Sequence, residues 1–215
     1  MTNTTTKATE NGTKIIKANK LGRDCSTRCR GMKVAIQGLG EVPATIELVL
    51  EREKPDVTYI LTSDFQLKHV ASHAGYKDAN EAIIKRAGEK TGTKVVFKEC
   101  DCFDPKSITK AIAEILQEIE VERDEIIINY TGGTAVVRLL LGATGFMLSG
   151  FANVRLVYAI RYPKGPSITS DQTDVIKEVF PSDLSLILDF IKKRHPEAVG
   201  PGIFGPRKKP AKRKK

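Results

Sequence analysis

Three short stretches of this 215-residue chain set glycines or hydroxyls where an apolar run gives way to a helical pattern. The first is Thr131-Gly132-Gly133-Thr134, after the run EIIINY. Two glycines and two hydroxyls at a helix start can pocket a phosphate or a base edge, because the first helical N–H groups lack intrahelical partners. The same residues also fit a plain turn with Thr134 as helix N-cap, and spacing alone leaves both readings open. The second is Gly38-Leu39-Gly40-Glu41, where glycine allows close backbone approach to a ligand or simply a tight turn. The third is Thr62-Ser63, two hydroxyls able to accept a ribose or phosphate.

Several chemistries are excluded. Pro43 stands three residues after Gly40, so GxGxxG is not formed. The second apolar run ends in Thr62-Ser63 rather than in an acidic residue that would hold a ribose, so nicotinamide binding is not expected. GxxxxGK[ST], GxSxG and HExxH are absent. His69 and His73 have i,i+4 spacing and fit one helical face. They read as a surface pair rather than a metal site, since the sequence ties no third ligand to them. Cys25-x3-Cys29 and Cys100-x-Cys102 have neither zinc-ribbon nor zinc-finger spacing. They read as ordinary thiols, with a structural zinc or a disulfide as alternatives. No metal and no cofactor is expected.

The elements that must position these residues follow a strand–helix rhythm. Lys33–Gln37, Val57–Leu61, Lys94–Lys98, Glu125–Asn129 and Arg155–Ile160 read as short β-branched strands, apolar on both faces. Helical patterns at Thr45–Glu53, Asn80–Thr91, 104–119 and Thr134–Leu148 alternate with them. Val175–Phe180 adds an edge strand and Leu184–Lys193 a last helix before Pro196. The expected class is α/β: a Rossmann-like doubly wound, mostly parallel sheet of five or six strands with helices on both faces. Its ligands belong at the carboxyl ends of the strands. Residues 1–31 form a polar lead-in, 32–195 the domain, and 196–215 a linker with a disordered basic tail.

The net charge of +9 belongs to the ends. Residues 207–215 carry seven positive charges, the lead-in is net +5 and the middle is net −3. The tail fits a salt-sensitive nucleic-acid tether without sequence readout, or a solubilising segment. The first residues hold no apolar h-region and no apolar run reaches about 18 residues, so neither a secretory leader nor a membrane span is expected.

The Gly-Leu-Gly loop, the Thr-Ser strand end and above all EIIINYTGGTAVVRLLLGATGF resemble the CARF family, the CRISPR-associated Rossmann fold. The resemblance spans about Met32 to Arg161. It implies a cytoplasmic two-fold homodimer acting in type III CRISPR antiviral defence. It implies binding of a cyclic oligoadenylate, with cyclic tetra-adenylate expected first. Gly38, Leu39, Gly40 and Glu41 would form one loop of the site, and Thr62 and Ser63 the second strand end. Thr131, Gly132, Gly133, Thr134 and Ala135 would hold a phosphate or adenine. The family's lysine after the turn is here Ala135, and Arg138 is the nearest basic substitute, with Lys68 and Arg161 further off. About 35 residues follow the fifth strand before the linker, so a stand-alone member without an effector domain is expected. Such a member would be a slow, metal-independent ring nuclease using Ser63, Thr134 and Arg138, or a non-catalytic sensor or sponge whose basic tail docks on nucleic acid or a CRISPR complex. An ordinary Rossmann-like nucleotide enzyme is the third reading.

Overall fold

Short β-branched runs without polar alternation can only be buried between two layers of helices, and the chain folds that way. The computed structural model describes residues 31–161, 174–179, 183 and 185–194. Five parallel strands are β1 (Lys33–Gly38), β2 (Val57–Thr62), β3 (Lys94–Glu99), β4 (Glu125–Asn129) and β5 (Asn153–Ile160). A sixth, β6 (Val175–Val179), runs antiparallel beside β5. Their order is β3-β2-β1-β4-β5-β6, so the chain reverses its direction of travel across the sheet between β1 and β4.

The two faces of each strand separate cleanly. Val34 and Ile36 of β1 with Ile126 and Ile128 of β4 pack against α4 (Pro105–Glu118) and α5 (Ala135–Leu148). On the other face Ala35, Ile127 and Val157 pack against α1 (Ala44–Glu53), while Leu39, Ile46, Ile60 and Ile84 join α1 to α3 (Asn80–Thr91). A last helix, α6, covers Ser185–Arg194. Among the described residues no helix is long and apolar enough to cross a membrane.

Two features depart from expectation. The stretch after Thr62 holds a short helix, α2 (Asp64–Lys68), and a 3-10 turn at Ser72–Ala74. His69 closes α2 in an extended conformation and His73 lies in the 3-10 turn, so the two do not share a helical face. The lead-in up to residue 30, with Cys25 and Cys29, and the 196–215 segment lie outside the described residues.

Buried polar groups run across the centre of the sheet. Asn129 Nδ2 donates to Gln37 Oε1 at 2.9 Å, and Gln37 Nε2 donates to Thr58 Oγ1 at 3.0 Å. All three residues are fully buried. The ladder ends at the turn after β4, where the Thr131 N–H donates to Asn129 Oδ1 at 3.1 Å. The opposite edge of the sheet is held by charge: Arg155 pairs with Glu53, Glu125 and Glu178, and Lys33 pairs with Glu53. Burial pushes the Glu53 carboxyl up, but hydrogen bonds from Arg155 and Lys33 outweigh it and hold it below its ordinary value.

Replacing Asn129 by Ala leaves the buried Gln37 carbonyl and the half-buried Thr131 N–H without their partners. The expected loss is about 2–4 kcal/mol, read as a lower urea midpoint at unchanged m-value.

Candidate ligand-binding site

Strands β1 and β4 are neighbours in register, with Gln37 opposite Asn129. The turns that leave their carboxyl ends therefore emerge side by side, at the reversal of strand order where open α/β sheets hold ligands. The turns touch backbone to backbone. A Cβ on Gly132 would fall 2.1 Å from the Gly38 carbonyl oxygen. One on Gly38 would fall 2.7 Å from Val137 Cγ1 and 2.8 Å from the Gly132 oxygen, and one on Gly40 3.3 Å from the Gly133 nitrogen. Gly133 has φ of +90°, a left-handed conformation that glycine adopts without strain. The glycines of both motifs first make room for each other.

The hydroxyls are also engaged within the protein. Thr134 caps α5, accepting from the Val137 N–H at 3.3 Å, and donates to the Cys102 carbonyl at 2.5 Å. Thr131 Oγ1 accepts from the Ala159 N–H of β5 at 2.7 Å. Ser63 caps α2, and its hydroxyl lies 3.3 Å from Gln66 Oε1. Thr62 is fully buried and donates to the Ser63 carbonyl. Leu39 lies in the core with its N–H bonded to Leu61 and its carbonyl to Gln66, so its side chain has no access to a ligand.

The groups left over are backbone donors and one cation. The N–H groups of Gly132, Gly133, Thr134, Ala135 and Val136 donate to no described residue. Ala135 and Arg138 are exposed at the start of α5, and Arg138 forms no ion pair among the described residues. The other two cations named from the sequence are committed. Lys68 pairs with Asp64 at 2.8 Å on the surface, and Arg161 pairs with Glu51 and Asp174. Glu41 is exposed beside the first turn, its carboxylate 3.8 Å from His69 and 3.6 Å from His73. The three meet there through loop geometry rather than helical spacing. Among the described residues no group of three or more His, Cys, Asp or Glu could hold a metal ion.

Two residues that hold the site together stand outside the sequence-based set. The Gln66 carboxamide bonds the Ser63 N–H at 3.0 Å, the Leu39 carbonyl at 2.7 Å and Cys102 Sγ at 3.3 Å, joining the ends of β1, β2 and β3. Its signal was present: Ser63-x-x-Gln66 is a capping box. Buried Asn80 donates to the carbonyls of Glu41 and Gln66, which fixes the first turn against α2. Nothing local marks that role.

No protein-family model and no curated protein matches the chain. Solved structures do match. Csm6 from Enterococcus italicus, bound to cyclic hexa-2'-fluoro-hexa-dAMP, matches with a TM-score of 0.57 at 13% identity, over 77% of this chain and 46% of that one. Can2 from Sulfobacillus thermosulfidooxidans, in complex with cyclic tetra-adenylate, gives 0.43 at 15% identity, over 59% of this chain and 32% of that one. VC1899 from Vibrio cholerae gives 0.45 at 15% identity, over 70% and 34%. The chain spans less than half the length of each. At such identities a likeness speaks to fold, and of the three only the Csm6 match is close enough to do so. The protein has an α/β, Rossmann-like, CARF-like fold.

Gly132→Ala forces a methyl into the Gly38 carbonyl and is expected to cost about 1–3 kcal/mol or more. Gly142→Ala, in open space on α5, is the control and is expected to gain about 0.5–1 kcal/mol. Thermal unfolding of the two variants checks both signs.

Proposed function

We propose that this protein binds a cyclic oligoadenylate at the Gly38–Glu41 and Thr131–Ala135 turns, as a two-fold dimer, and cleaves it slowly without a metal. The observation that carries the reading is the row of unpartnered N–H groups from Gly132 to Val136 at the start of α5. In a CARF-like fold this is a donor set for phosphate oxygens, backed by the helix dipole. A cyclic oligonucleotide repeats one anion around its centre, and a dimer offers the donor row twice.

The exposed face of α5 supports the dimer. Ala135, Leu139, Ala143 and Met147 recur every fourth residue on its exposed side, and Leu139 and Met147 are about 70% exposed. Covering that stripe with a second copy brings the two α5 starts toward one axis. Leu139→Glu is expected to give a monomer in sedimentation and to lose ligand binding with it.

Cleavage needs little from the protein. The ribose 2'-oxygen attacks the adjacent 3'-phosphorus, the P–O5' bond breaks, and the 2'-proton is lost as the 5'-oxygen gains one. The products are a 2',3'-cyclic phosphate and a free 5'-hydroxyl. Alignment alone can supply about 7–11 kcal/mol in ideal cases. Arg138 is the cation left to meet the developing charge. The alternative, a binding-only sensor or sponge, is favoured by Ala135 in the position of the family's lysine and by the engaged hydroxyls of Ser63 and Thr134. On either reading the basic run 207–215 adds salt-sensitive attraction to nucleic acid, and deleting it is expected to weaken RNA binding.

The test is incubation with cyclic tetra- and hexa-adenylate in EDTA, followed by chromatography, with a 2'-fluoro cyclic analogue as control. Linear products ending in a 2',3'-cyclic phosphate are expected from the ribose ligands only, and Arg138→Ala is expected to slow their appearance about tenfold or more. Intact ligand eluting with the protein would establish the binding-only reading. No binding of either ring would overturn both.

A further inference from the structure

Two thiols lie against the same turn, outside the chemistry above. Cys100 Sγ and Cys102 Sγ are 3.9 Å apart just beyond β3. Cys100 is partly exposed and Cys102 is buried. The Cys100 N–H donates to the Thr62 carbonyl at 2.9 Å. Cys102 Sγ lies 3.3 Å from Gln66 Oε1, and the Cys102 carbonyl accepts from Thr134 Oγ1 at 2.5 Å. The pair thus touches the end of β2, the capping box and the cap of α5.

We propose that Cys100 and Cys102 form a dithiol that hydroperoxides oxidise to a disulfide, and that closing the disulfide loosens the Thr131–Thr134 turn. The hydrogen bond from Cys102 holds the Cys100 thiol below its ordinary pKa, while that contact and burial push Cys102 up. Cys100 is therefore the thiolate that reacts first, and its exposure lets a small oxidant reach it. Its sulfur attacks a peroxide oxygen, the O–O bond breaks, hydroxide leaves and a sulfenic acid forms. Cys102 sulfur then attacks Cys100 sulfur. The S–O bond breaks, and the departing hydroxide takes the Cys102 proton. Two thiols and one hydrogen peroxide give one disulfide and two waters.

The coupling follows from distance. The sulfurs must close from 3.9 Å to the roughly 2.05 Å of a disulfide. Cys102 must turn away from Gln66 to do so. Its backbone carries the carbonyl that holds Thr134, so the strain reaches the α5 cap directly.

The inference stands on the thiols and the turn and does not need the proposed ligand. Its test uses the full chain with Cys25 and Cys29 changed to Ser, treated with excess hydrogen peroxide and then a thiol alkylator. Tryptic peptide 99–106 is expected to lose two hydrogens and both alkylation sites, reversibly with dithiothreitol. Deuterium uptake at the two hydrogen-bonded amides of the turn, Thr131 and Val137, is expected to rise roughly fivefold, the effect of a lost helix cap. Cys100→Ser and Cys102→Ser, which keep a donor at each position, are expected to show neither change. A peptide that keeps two alkylatable thiols, or that ends as sulfinic acid, would overturn the dithiol. A disulfide with unchanged uptake at Thr131 and Val137 would overturn the coupling.

Discussion

The carboxyl edge of this sheet depends on two backbone segments lying closer together than any side chain permits. Gly38 ends β1 and Gly132 sits in the turn beyond β4. Each occupies the space where the other's Cβ would be. That contact follows from the parallel pairing of β1 with β4, which the strand order forces at the point where the chain reverses direction. With the two turns joined, the start of α5 has a fixed position relative to the sheet. Its free N–H groups then point from a rigid base rather than from a loop.

The neighbouring interactions hold that contact in place. The ladder from Thr58 through Gln37 to Asn129 crosses three strands at one level and hands its last bond to the Thr131 N–H. Gln66 ties the first turn to α2, and Thr134 ties the second to the end of β3. A buried amide ladder left partly unpaired would cost more than it contributes. Here each carboxamide meets a partner, so the ladder fixes the register of the strands that carry the site. The ion pairs around Arg155 do similar work at the opposite edge, away from the site.

Much of the fold was legible because its signals are local. β-branched runs mark the strands, and helical spacing marks α1, α3, α4 and α5 to within a residue or two. The Thr-Gly-Gly-Thr turn was legible as a helix start. Thr134 as its N-cap was legible too, but the long-range contacts of these residues were not. Glycines read as openings for a ligand are required by each other. Thr134, read as a group for the sugar, spends its hydroxyl on a cap and on the Cys102 carbonyl. Cys102 lies 32 residues from Thr134 and Gly38 lies far from Gly132 in sequence, and only the register of the sheet brings them together. Ser63-x-x-Gln66 is the exception, since its capping box is local and announces α2.

These commitments narrow what the site can do. A hydroxyl already donating to a carbonyl has no proton to offer a substrate, and one accepting a backbone N–H turns its lone pair inward. Recognition then falls to main-chain donors, which neither titrate nor change with rotamer. Such donors bind an anion with little reorganisation. They supply no general acid or base, so chemistry on a bound phosphodiester would rest on the ligand's own hydroxyl, on alignment and on Arg138. An edge built this way is well suited to holding an anion and poorly equipped to turn it over quickly. That balance makes the proposed binding the stronger activity and the proposed cleavage slow.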